Sequence, residues 1–155
     1  MISNESKILE FEEFIKAKGP WDLWATITFR QKTQLLGARS LFKYFLKHLN
    51  SPDDIFFDKF VFCFVFFERD NRGGVHIHAL IRGIHPLYAF KLEGKCREHL
   101  GDTKIKPYNP SLKKNATLYL ACKYVTQSLE DFDFMKVNSK FRNQSFCTSM
   151  HSVRI

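Results

Sequence analysis

The stretch FFERDNRGGVHIHALIRG, residues 66–83, places one acid and two histidines where a pair of apolar strands needs neither. Side chains two apart on a strand share a face, so His76 and His78 converge while Ile77 points into the opposite layer. Glu68 ends the partner strand across the turn RDNRGG, and a hairpin folds its carboxylate back toward the two imidazoles. Two imidazoles and a carboxylate form a mixed nitrogen and oxygen set that suits a divalent cation and leaves positions open. Such a centre polarises a bound oxygen and orients a substrate. Cys63 shares the strand with Glu68 but stands at an odd offset from it, on the other face, so a closed four-ligand zinc site is not expected. Mg²⁺ or Mn²⁺ is the expected ion. Taken without the acid, His-x-His is also compatible with an ordinary strand face bearing two solvated histidines.

A second cluster lies further along the chain, in NATLYLACKYVTQSLE. On a helix at about 100° per residue, Leu118, Ala121, Cys122, Val125 and Leu129 make one apolar stripe, the expected core side. Tyr119 and Lys123, four apart, sit together at one edge of that stripe. Tyr124 falls on the other edge, near Thr117 and Leu120. A phenol is a weak nucleophile until a neighbour activates it, and Lys123 is a cation one turn away that can also neutralise a phosphate. Attack by a tyrosine on a DNA phosphate beside a divalent cation is then a coherent phosphoryl transfer. Tyr124 has Gln127 and Ser128 where a comparable cation would stand, which makes it the weaker candidate.

The elements that must carry these residues can be read from periodicity and turn residues. GPWDLWATITFR leads into a strand at Leu23 to Phe29, with β-favouring alternation. Leu41, Phe42, Phe45, Leu46 and Leu49 recur at helical spacing in ARSLFKYFLKHL, residues 38–49, and NSPDD then breaks the chain. FDKFVFCFVFFE and VHIHALIRG form the hairpin. Pro86 opens a helix to Leu100, weakened by Gly94. TKIKPY is a short strand, the Tyr119 helix starts near Asn115, and a last strand is expected around Ser145 to Ser149. The order β-α-β-β-α-β-α-(β) predicts an α+β fold, an antiparallel sheet with helices on one face, of ferredoxin-like or RRM-like kind. Residues 1–155 are expected to be one domain, with 1–20 and 131–155 as peripheral extensions.

Composition narrows the partners. Seventeen Phe and 45% apolar residues exclude a disordered chain, and no run approaches the length of a membrane span. The acidic, polar stretch MISNESKILEFEEF is not expected to act as a secretory signal or a transit peptide. The expected location is the cytoplasm of a prokaryotic host, or the nucleus of a eukaryotic one. Cys63, Cys96, Cys122 and Cys147 form no C-x-x-C pair and read as reduced core thiols. A net charge of +8 favours a polyanion, nucleic acid first. Basic residues gather at Lys91, Lys95 and Arg97 and again at Lys104, Lys106, Lys113 and Lys114, the last four being candidates to follow a phosphate backbone.

Taken together, Glu68, HIH at 76–78 and a downstream Tyr/Lys helix resemble the HUH endonucleases, and within them the Rep proteins that initiate rolling-circle replication. WATITF resembles that family's first motif, an apolar-Thr strand beside the site. YLACKYVTQ is similar to the tyrosine motif of small phage and plasmid Reps, and FRNQSFCTSM is faintly similar to the strand that follows it. The resemblance covers roughly residues 23–150, with the motifs in the family's order. It departs from the pattern in two places: the two tyrosines are five apart where the pattern has four, and Gln127 replaces its last lysine.

The resemblance implies a metal-dependent, site-specific nickase and strand-joining enzyme for single-stranded DNA at a replication origin. Glu68, His76 and His78 would hold Mn²⁺ or Mg²⁺, and Tyr119 would form a 5′-phosphotyrosine link, releasing a 3′-OH for a host DNA polymerase. No Walker-type G-x-x-x-x-G-K-[ST] occurs, so the helicase is expected to be a separate protein, and the nickase to be a monomer or homodimer. A single-tyrosine HUH transposase would share this chemistry. An RRM-like nucleic-acid-binding module without catalysis would explain the charge but not Glu68, His76 and His78, and a zinc-stabilised structural domain would unfold on chelation.

Overall fold

Alternation of side chains along the strands decides how this chain is layered. The computed structural model describes residues 3–49, 55–112, 115–138 and 149–154. In chain order the elements are α1 (Asn4–Ala17), β1 (Leu23–Phe29), α2 (Leu35–Lys47), β2 (Phe57–Arg69) and β3 (Val75–Ile84). A 3₁₀ turn, Pro86–Tyr88, then runs into α3 (Ala89–His99), followed by β4 (Gly101–Pro107), α4 (Ala116–Val125), β5 (Leu129–Asn138) and β6 (Ser149–Arg154). The strands form one antiparallel sheet in the order β4-β1-β3-β2-β5-β6. Its first four members, with α2 and α3 as crossovers, are the β-α-β-β-α-β arrangement of ferredoxin-like folds, as the element order predicts.

The helices cover both faces of the sheet, where the element order alone suggests one. Odd-numbered residues of the central strands (Ala25 and Ile27 of β1, Cys63, Val65 and Phe67 of β2, Ile77 and Ala79 of β3) pack under α2 and α3. Even-numbered ones, Phe64, Phe66 and Leu80, pack with Ile15 of α1 and Leu120 and Ala121 of α4. Two buried faces explain why β2 is almost continuously apolar instead of alternating.

The segments expected at the periphery contribute core. Helix α1 begins at Ser3, whose hydroxyl accepts from Ser6 N–H, and Ile8, Phe11 and Ile15 fall on one side of it. Ile15 is fully buried, a contribution of about 1.5–3 kcal/mol. Trp21 Nε1 donates to Ile15 O at 3.1 Å, tying the helix to the entry of β1. Strand β5 lies between β2 and β6 with Phe132, Met135 and Val137 buried. Acidic residues hid both elements: Arg39 of α2 pairs with Asp131 at 2.8 Å and with the fully buried Asp133, so a strand that reads as polar is compatible with burial.

Boundaries shift for local reasons. Helix α2 starts about a turn before Ala38, and the Pro86 helix is split, with Pro86 opening a 3₁₀ turn before α3. Gly94 stays inside α3. The expected strand at 145–149 falls mostly outside the described residues, and β6 begins at Ser149.

Candidate metal centre

The hairpin that carries the site is closed by its own turn. Asp70 Oδ1 accepts from the backbone N–H groups of Arg72 and Gly74 at 2.9 and 3.1 Å, and Gly73 takes a positive φ of 83° that favours glycine. A side chain at Gly74 would meet the Thr33 carbonyl, which accepts from Val75 N–H at 2.8 Å. This fixes the register in which Glu68 lies directly opposite His76, and Phe66 opposite His78.

The three side chains converge as the sequence predicts. Glu68 Oε1 lies 2.8 Å from His76 Nε2 and 2.9 Å from His78 Nε2, and the two nitrogens are 3.2 Å apart. Two donors about 2.1 Å from a common centre and at right angles to it are about 3.0 Å apart, so these spacings match one face of an octahedron. Among the described residues this is the one group of three potential ligands, and it contains no thiol. Cys63 is on the opposite face, where burial pushes its pKa up. The set fits a small divalent cation with half its positions left for water or substrate, and among the described residues no fourth ligand of a structural zinc site joins it.

Electrostatics hold the ligands ready. Burial raises the Glu68 pKa, but hydrogen bonds and charge from His78 and Lys123 outweigh it and hold the carboxyl down to about 2. Burial, assisted by the neighbouring His78, lowers the His76 pKa and keeps its nitrogen available as a lone pair. Thr26 Oγ1 is 3.4 Å from His78 Nδ1 and lies opposite it on β1. With a cation on Nε2, the proton of His78 would stand on Nδ1, where Thr26 Oγ1 would accept the hydrogen bond and orient the ring. In sequence this strand is an apolar-Thr motif that does not single out Thr26. Its signal was the Thr two residues after Trp24, on the face shared with His78.

Helix α4 lies on the same face. Asn115 caps it, its side chain accepting from Leu118 N–H at 2.9 Å. The buried side of α4 is Ala116, Thr117, Leu120 and Ala121, not the stripe of Leu118, Ala121, Cys122, Val125 and Leu129. That stripe reflects apolarity alone. Thr117 turns inward because its hydroxyl has partners there, Asn115 Oδ1 at 2.6 Å and Glu12 Oε2 at 3.3 Å. Leu129 is beyond the helix, which ends where Gln127 adopts φ 62°, and it starts β5.

Five residues apart on the helix, the two tyrosines meet different neighbours, as their spacing predicts. Lys123 Nζ reaches Glu68 Oε2 at 2.9 Å and lies 5.4 Å from the centre of the Tyr119 ring, and the pairing with Glu68 raises the Lys123 pKa. The Tyr119 ring lies 5.4 Å from that of His78 and 5.6 Å from that of Trp24, with 37% of the residue exposed. Tyr124 instead stacks on Phe11 of α1, 3.9 Å between centroids and nearly parallel, with its edge toward Phe132. Glu68, His76, His78, Lys123 and Tyr119 therefore occupy one site, and Tyr124 lies apart from it.

Of the four lysines expected to meet a phosphate backbone, Lys104 and Lys106 are exposed on β4. They sit opposite Thr26 and Trp24, on the sheet face that carries the site, and Lys106 Nζ is 4.9 Å above the Trp24 ring. Lys113 and Lys114 lie outside the described residues. No described helix is long and apolar enough to cross a membrane. No family model matches this chain, and neither a curated protein nor a solved structure matches it.

Proposed function

We propose that the chain is a metal-dependent endonuclease that nicks and rejoins single-stranded DNA at a specific site and so initiates rolling-circle replication. The observation that supports this reading is the clustering around Glu68: one oxygen meets the two imidazoles, and the other meets Lys123, whose ammonium lies 5.4 Å from the centre of the Tyr119 ring. Mn²⁺ or Mg²⁺, held by Glu68, His76 and His78, would supply positive charge to the phosphate being cleaved.

The protein's own groups account for the remaining steps. Tyr119 Oη attacks phosphorus, the bond from phosphorus to the 3′ oxygen breaks, and the released 3′ oxygen ends with the proton that the phenol gave up. The 5′-phosphotyrosine link keeps the phosphodiester energy, so a returning 3′-OH reverses the step and rejoins the strand without ATP. Lys123 sets the carboxylate and lies beside the phenol, where it balances phosphate charge. The row Lys104–Thr26–His78 and the row Lys106–Trp24 offer cations and an aromatic ring in line with the site, a track for a single strand. The free 3′ end would serve a host DNA polymerase, with a separate helicase opening the duplex, in the cytoplasm of a prokaryotic host or the nucleus of a eukaryotic one.

The test is a nicking assay on a pool of single-stranded oligonucleotides with Mn²⁺, Mg²⁺ or EDTA, read as a covalent protein–DNA band. A band that needs the cation and vanishes in His76→Ala is the expected result. Tight binding that ignores EDTA and yields no band on any sequence would leave a nucleic-acid-binding module instead.

A further inference from the structure

Glu68 divides its two oxygens between different neighbours. Oε1 faces His76 and His78 across the hairpin, while Oε2 is held by Lys123 Nζ at 2.9 Å. The carboxylate is buried, and Lys123 reaches it from α4, an element anchored separately by Leu120 and Ala121 against the sheet. The ammonium also stands 5.4 Å from the centre of the Tyr119 ring.

We propose that Lys123 is a selectivity residue of the cation site: by occupying Oε2 it leaves Glu68 one oxygen to offer, which favours Mn²⁺ or Mg²⁺ over Ca²⁺. The inference rests on the metal reading of this site and not on the DNA chemistry. Ca²⁺ takes six to eight oxygens at about 2.3–2.6 Å and commonly uses both oxygens of a carboxylate, whereas Mg²⁺ takes six ligands at about 2.0–2.1 Å. Two imidazole nitrogens and a single oxygen satisfy half of an octahedron. They are a poor start for a larger shell, and no further carboxylate among the described residues joins the group to complete one. Freed from Lys123, Glu68 would present both oxygens, and the site would become more hospitable to Ca²⁺.

Removing the ammonium also removes a repulsive charge, which strengthens binding of every divalent cation alike. The ratio of Mn²⁺ to Ca²⁺ affinity cancels that effect and reports on the freed oxygen. Titration calorimetry with each cation on the full chain should show the ratio falling about tenfold or more in Lys123→Met. In Lys123→Arg, which keeps a donor on Oε2, the ratio should stay near that of the wild type. A second readout needs no variant: infrared spectra of the Mn²⁺-loaded wild type, with ¹³C-labelled glutamate, should show the wide separation of carboxylate stretches that one-oxygen ligation gives. An unchanged ratio in Lys123→Met, or a narrow two-oxygen separation in the wild type, overturns the selectivity role and leaves the metal site standing. No binding of either cation to the wild type overturns both.

Discussion

The two faces of the sheet use the same strands for opposite purposes. Under α2 and α3, β2 and β3 contribute Cys63, Val65, Phe67, Ile77 and Ala79, and the face is close-packed with buried thiols that burial keeps protonated. Under α1 and α4 the residues between them are Phe64, Phe66, Glu68, His76, His78 and Leu80: aromatic packing at one end and titratable groups at the other. The neighbour at each step along one strand thus belongs to the other task. A one-residue slip of the hairpin would exchange them, placing Phe67 and Ile77 at the site and the ligands in the core. The turn at Asp70, Gly73 and Gly74 is accordingly part of the site although it holds no ligand.

Perturbations that touch one face and spare the other separate the two roles. The largest effect is expected where α4 divides its tyrosines. Tyr119→Phe should lower covalent adduct by roughly 10³-fold or more, the scale of losing a nucleophile, and Tyr124→Phe should leave it within a few-fold. Equal loss from both, measured as adduct per unit of folded protein, would mean that the distinction between the tyrosines is wrong. Phe67→Ala, on the face under α2 and α3, should cost about 3–5 kcal/mol in urea unfolding while the folded fraction keeps its Mn²⁺ affinity. If that affinity collapsed as in His78→Ala, the faces would not be independent.

Thr26→Val should weaken Mn²⁺ binding by about 10–100-fold, as loss of an orienting partner does, with Thr26→Ser restoring it. Calorimetry that found the valine variant unchanged would remove Thr26 from the account. The smallest effect is on acid stability in EDTA. Because the folded Glu68 carboxyl sits at about 2, below its ordinary 4.5, its contribution is complete above pH 4.5 and lost as pH falls toward 2. His76, also lowered, adds a loss that begins as pH drops through 6.5, where the unfolded imidazole takes up its proton first. Glu68→Gln should therefore show a shallower fall in stability between pH 5 and 3 than the wild type. Parallel falls would show that Glu68 has no such linkage.

What the sequence made legible was local. A period of two placed His76 and His78 on one face and Cys63 on the other, and a glycine turn put Glu68 across from them, because hairpin register follows from the turn itself. Spacing of four put Lys123 beside Tyr119. The illegible parts depended on distant partners. Thr117 is buried because Glu12, more than a hundred residues earlier, bonds to it, and this rotates α4 away from its apolar stripe. Asp133 belongs to a core strand because Arg39 neutralises it. Helix α1 shows only a weak stripe of its own, and what makes it core is the aromatic surface of α4 and β5 that meets Phe11. Each miss is a polar or mixed segment whose partner lies elsewhere in the chain.

The central claim is that the cation ligands and the nucleophile share one site around Glu68. Peptide mapping by mass spectrometry of the covalent adduct formed on single-stranded DNA with Mn²⁺ tests it most directly. The account predicts the nucleotide on the peptide at Tyr119, and no adduct in EDTA. A nucleotide on Tyr124, stacked on α1 and away from Glu68, would contradict it.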